Sequence, residues 1–154
     1  MLSFKSNLSK DSDAIAIFVS EKYGYKDKKA VLPKDVAQKI TSFLKLLKTK
    51  KKEEDISSFD ISSDKKCLLI KIKRNLASYS PQEIGGSFFS YLKKINDINK
   101  IDLYPDSLDF DQEKLNSFFS QFIFGFNLKS YTFNKYKTLN KEKINKKVDF
   151  TIVS

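Results

Sequence analysis

Ala14-Ile15-Ala16-Ile17-Phe18-Val19 is the stretch on which the fold turns. It is an unbroken apolar run of strand length, rich in β-branched residues. A strand with one wet face alternates, whereas an unbroken run suits a strand covered on both faces. Working outward, Cys67-Leu68-Leu69-Ile70-Lys71-Ile72 is a similar run that turns to alternation at its end. Ile101-Asp102-Leu103-Tyr104 alternates and stops at Pro105, and Val148-Asp149-Phe150-Thr151-Ile152-Val153 alternates to the close of the sequence. Leu2-Ser3-Phe4 and residues 56–61 are weaker candidates, of the kind found at sheet edges.

Three helical patterns fall between these strands. In the first, Val36, Ile40, Phe43, Leu44 and Leu47 share one face, with Lys39, Lys45 and Lys48 elsewhere. The second opens on Ser80-Pro81-Gln82-Glu83, with Ser at the N-cap, Pro at the first helical position and Glu at the third. Ile84, Phe88, Leu92 and Ile95 line its apolar side. Gly85 and Gly86 sit in its first turns; glycine costs helix stability, so close packing against a neighbouring element is expected there. The third starts at Asp111 as N-cap, with Phe110 and Leu115 spaced as a hydrophobic staple. Leu115, Phe118, Phe119, Phe122 and Phe126 form its apolar face. The order β, β, α, β, β, α, β, α, β predicts a three-layer α/β domain over residues 1–154, with a mostly parallel or mixed sheet between helix layers.

Composition bounds the chemistry. The 154 residues carry a net charge of +10, one cysteine and no histidine. That excludes Ser–His and Cys–His nucleophile pairs, imidazole zinc sites and an internal disulfide. Residues 1–12 are polar and show no signal peptide, and no apolar run approaches the roughly 20 residues of a membrane span, so a cytoplasmic protein is expected. The acids from Asp106 to Glu113 lack the glycine and spacing of a calcium loop and read as a helix N-terminus. Glu53-Glu54-Asp55 reads as a solvated counterweight to the lysines before it, and Cys67 as a buried thiol without an activating partner. Gly85-Gly86 fits neither phosphate-loop pattern, so no cofactor is expected in this chain. Lys45, Lys48, Lys50, Lys51 and Lys52 form the densest basic stretch, in which Lys48, Lys50, Lys51 and Lys52 are candidate nucleic-acid contacts, although no aromatic residue is interleaved for stacking. This stretch and the lysines of 141–147 read as element ends and loops.

One segment is more distinctive. In residues 125–137, Gly125, Leu128, Tyr131, Phe133, Tyr136 and Lys137 reproduce a pattern of Gly, then Leu three later, then Tyr-x-Phe-x-x-Tyr-Lys. This resembles the end of the third helix in the N-terminal domain of the leucyl (cytosol) aminopeptidase family. The Glu-Ile-Gly-Gly of residues 83–86, the Leu92-Lys93-Lys94 helix end and the Ile101 strand resemble that domain in order and spacing. Phe124, Lys129 and Asn134 depart from it, standing where the family often has an acid, a small residue and an Asp. The purely structural alternative is an aromatic helix end packed on the core.

The resemblance implies a macro-domain-like fold. It also implies that the two-metal peptidase site, with its zinc or manganese ions and their Lys, Asp and Glu ligands, lies in a C-terminal catalytic domain absent from this sequence. No catalytic or metal residue is then expected here. The implied role is noncatalytic: contributing to a homohexamer and to active-site access, with the catalytic domain of the same polypeptide as partner. The alternative is a lysine-rich nucleic-acid-binding module.

Overall fold

The computed structural model describes residues 2–27, 29–50, 54–72, 80–95, 98–108, 110–139 and 148–153. In chain order the elements are β1 (Leu2–Lys5), β2 (Ala14–Ser20), α1 (Lys34–Thr49), β3 (Ile56–Ser62), β4 (Lys65–Ile72), α2 (Pro81–Lys94), β5 (Lys100–Tyr104), a 3₁₀ turn (Pro105–Ser107), α3 (Gln112–Leu139) and β6 (Asp149–Val153). They form one six-stranded sheet in the order β1-β6-β5-β2-β4-β3.

Neighbouring strands are parallel except β3 and β4. Those two are joined by Ser63-Asp64, far too short for a crossover, so they pair antiparallel. The two weak strand candidates are the two edges, β1 and β3.

The apolar run of residues 14–19 splits by its period of two. Ile15, Ile17 and Val19 face α1, while Ala14, Ala16 and Phe18 face α2 and α3. All six are at most 1% exposed, so β2 is covered on both faces. Burial of this kind contributes about 1.5–3 kcal/mol per large side chain. Phe18 is surrounded by Phe118, Phe119 and Phe122 of α3 at 5.4–6.4 Å in edge-on contacts.

The helices keep their predicted faces with local changes. On α1, Val36, Ile40, Leu44 and Leu47 are buried, and Phe43 leans outward to stack on Phe59 of β3 at 4.7 Å. On α2, Phe89 joins the buried face beside Ile84, Phe88 and Leu92, and Ile95 is only partly buried. On α3, Phe119 is half-buried. Ser80 caps α2 by accepting from Gln82 N at 3.2 Å. Asp111 caps α3 by accepting from Lys114 N at 2.8 Å. Phe110 meets Phe118 edge-on at 6.0 Å, one turn beyond the expected staple partner. Among the described residues, no helix is long and apolar enough to cross a membrane.

Candidate functional site

From β2 the chain crosses to β4 on one side and then returns to β5 on the other. In open α/β sheets, ligand crevices form at the carboxyl ends of strands around such a reversal. In this chain residues 21–27 and 29–33 and the 3₁₀ turn are laced together over the ends of β2 and β5. Ser107 Oγ accepts from Phe18 N at 2.9 Å and donates to the Tyr104 carbonyl at 2.7 Å. The Asp27 carboxylate accepts from Val31 N, Leu32 N and the Tyr104 hydroxyl, the last at 2.6 Å. Burial, reinforced by the hydrogen bond to Asp27, pushes the Tyr104 hydroxyl well above its usual range. Lys29 pairs with Asp106 at 3.0 Å. Tyr23 and Ala30 hold left-handed backbone, with φ of 59° and 50°. Asp27 and Asp106 are therefore engaged in fastening the loop. Residues 73–79, which follow β4, lie outside the described residues.

The other polar candidates are dispersed. Of the acidic run, Asp106 pairs with Lys29, Asp111 is a helix cap, Glu113 is exposed, and Asp109 lies outside the described residues. Among the described residues, no group of three His, Cys, Asp or Glu side chains could hold a metal ion. Cys67 is wholly buried on β4, and burial pushes its thiol far up. Lys45, Lys48 and Lys50 are exposed at the carboxyl end of α1, whereas Lys51, Lys52, Glu53 and the 141–147 lysines lie outside the described residues.

The segment at 125–137 lies within α3 and is partly explained by a helix crossing. A Cβ placed on Gly85 would sit 2.0 Å from the Phe122 carbonyl oxygen, and one on Gly125 would sit 2.0 Å from the Gln82 carbonyl oxygen. Both are far inside contact distance, so α2 and α3 touch backbone to backbone at a reciprocal glycine pair. Gly86 has room: its Cβ would meet nothing closer than 3.8 Å. The close packing expected at Gly85-Gly86 thus belongs to Gly85, and its counterpart is the first residue of the α3 motif.

The remaining motif positions divide. Phe133 lies 5.5 Å from Phe89 and beneath the Lys93 ammonium at 4.3 Å. Leu128 and Tyr131 do not pack on the core; they are 54% and 65% exposed, and Phe124 beside them is 55% exposed. Spaced i, i+4 and i+7, these three form one outward stripe on α3. The side chains of Tyr136 and Lys137 lie outside the described residues.

One buried polar residue was not singled out from sequence. Asp102, read as the polar half of an alternation, is 0% exposed. Its Oδ2 accepts from Ser9 N at 2.8 Å and from Ser12 Oγ at 3.0 Å. The signal was too weak to find it: a single acid in a short strand is usually on the wet face.

No protein-family model matches the chain, and no curated protein matches it in sequence. Solved structures match it in fold. The macrodomain of Thermus aquaticus DarG superposes with a TM-score of 0.63 at 10% identity, over 100% of this chain and 98% of that one. A mutant tomato leucine aminopeptidase superposes with a TM-score of 0.65 at 17% identity, over 99% of this chain and 32% of that one. The chain thus spans about a third of the aminopeptidase's length. At such identities the likeness is one of fold, and the chain has the three-layer, macro-domain-like α/β architecture expected from its element order.

Proposed function

We propose that this chain is the noncatalytic N-terminal domain of a metal-dependent leucyl aminopeptidase. In this reading, the hydrolysis of N-terminal residues takes place in a separate catalytic domain of the same polypeptide, where two divalent ions, zinc or manganese, activate water and polarise the scissile carbonyl. This domain helps assemble a cytoplasmic homohexamer and shapes access to its active sites.

The observation that carries the reading is the division of the α3 motif. Gly125 has a packing reason, in its contact with α2. Leu128 and Tyr131 have none among the described residues, where both are exposed. A large apolar stripe on a helix already packed on its other side fits a contact surface for further protein. Supporting it, the fold superposes on 32% of the tomato enzyme's chain, leaving most of that chain outside the shared fold.

The test is the size and activity of the native gene product. An antibody to this domain is expected to detect a polypeptide roughly three times as long, by the ratio of the matched chains. The immunoprecipitate is expected to hydrolyse leucine amide and to lose that activity on chelation. A native product no longer than this chain refutes the reading, as does metal-dependent hydrolysis by the purified domain alone.

A second reading, nucleic-acid binding, rests on exposed Lys45, Lys48 and Lys50 at one end of α1. Affinity for DNA that falls steeply with salt, and falls further in a variant with these lysines changed to Ser, would favour it.

A further inference from the structure

We infer that the cleft beside β1, β5 and β6 on the α1 side of the sheet binds a monovalent cation on Asp102, independently of the aminopeptidase reading. The strand register sets out the site. Ser3 is paired with Thr151, Thr151 with Asp102, Asp102 with Ile15, and Ile15 with Cys67. Paired residues point to the same face, so these five form a row across the sheet. Ile15 and Cys67 belong to the apolar cluster under α1. From Asp102 outward the row turns to oxygen: carboxylate, then the Thr151 hydroxyl, then the Ser3 hydroxyl 3.0 Å from it.

A cavity of about 160 Å³ lies along this row, and its lining includes Asp102, Thr151 and Ser3 together with Ser9 and Ser12 from the segment before β2. It has room for several water-sized ligands, at about 30 Å³ each. Asp102 shows what is missing. Its Oδ2 has two neutral donors, an amide and a hydroxyl. Its Oδ1 is equally buried and has no hydrogen-bond partner among the described residues.

Burying an ionised carboxylate is costly unless a positive charge or full hydrogen bonding compensates it. The lysines lining the cavity point their ammonium groups at other partners: Lys100 pairs with Asp11 at 3.1 Å, and Lys5 reaches Ser9 Oγ at 3.5 Å. Asp11 and Asp149, the other acids of the lining, are exposed. The three acids do not converge as a divalent metal would need. One buried anionic oxygen with neutral hydroxyls nearby balances a single positive charge. The fitting ligand is therefore a small monocation with oxygen coordination: sodium, potassium or ammonium.

The test is thermal unfolding of the whole chain in sodium, potassium or ammonium chloride against choline chloride at equal ionic strength. Choline carries the same charge, but its quaternary nitrogen has no N–H and its alkyl groups keep the charge from direct contact with an oxygen, which separates coordination from screening. At least one small cation is expected to raise Tm saturably, by roughly 3–6 °C at ten times its Kd. The three salts distinguish an inorganic ion from an ammonium group. Asp102→Asn, close to isosteric, is expected to abolish the difference, and Thr151→Val to weaken it. Equal Tm values in all four salts overturn the proposal and leave the cleft to water. So does an effect that survives in Asp102→Asn. The wild-type comparison decides the matter even if Asp102→Asn does not fold.

Discussion

Replacing Gly125 by alanine tests the helix crossing on which the α3 motif rests. The new methyl would stand 2.0 Å from the Gln82 carbonyl oxygen and 2.6 Å from its Cα. Normal contact is roughly 3.5 Å, so α2 and α3 must separate by about an ångström or more. The obstacle is backbone, which cannot rotate aside. Overpacking of this kind costs about 1–3 kcal/mol, and the upper half of that range applies when helices must move. Separation also loosens Phe88 and Phe89 against Phe126, which now sit at 5.9 and 5.3 Å. Against this, alanine gains about 0.8–1.0 kcal/mol of helix propensity over glycine. The net expectation is a loss of about 1–2 kcal/mol, or roughly 2–8 °C in Tm for a chain of this size. Gly86→Ala is the matched control. It makes the same chemical change one residue along, but its methyl meets nothing within 3.8 Å. Propensity then acts alone, and stability should hold or rise by up to about 1 kcal/mol. Urea unfolding followed by circular dichroism reads both, with equal slopes expected. Gly85→Ala should resemble Gly125→Ala, and the double variant should cost less than the sum, because the helices part only once. If Gly125→Ala is as stable as Gly86→Ala, the backbone contact does not exist and this account of the motif fails.

Other consequences are open to measurement. Ser107→Ala removes the acceptor of the buried Phe18 amide, and chemical denaturation should show a loss of about 1–3 kcal/mol. Folding raises the pKa of the Tyr104 hydroxyl above its ordinary value of 10.0 by burying it. The folded state therefore holds the proton more tightly, so the associated stability is full below about pH 10 and is lost as pH rises beyond it. Stability measured from pH 8 to 11 should fall less steeply above pH 10 in Tyr104→Phe, whatever its starting value. The Cys67 thiol is wholly buried and held protonated, so a disulfide reagent should label it only at the rate of unfolding; fast labelling of the native protein would contradict its place in the core.

Much of the fold was legible because the signals were local. The capping residues Ser80 and Asp111 announce two helix starts through bonds made within three residues. The β2 run declares a doubly covered strand before any partner is known. The candidate functional positions were less legible, because a sequence motif does not say which neighbours its residues meet. Leu128 and Tyr131 are large and apolar yet exposed, whereas Asp102 is charged yet buried.

The sequence by itself determined the element order, the helix faces and the caps, all of which follow from periodicity and contacts within a few residues. Tertiary structure alone decided the strand order. β1 lies beside β6, at the opposite end of the chain, because each strand needs a ladder partner and neither has a hairpin neighbour. That pairing aligns Ser3 and Thr151 with Asp102 in one row. It was likewise the crossing of α2 and α3 that gave Gly125 its role. A period of two or of 3.6 tells which way a side chain points, and only the packed chain supplies what it meets there.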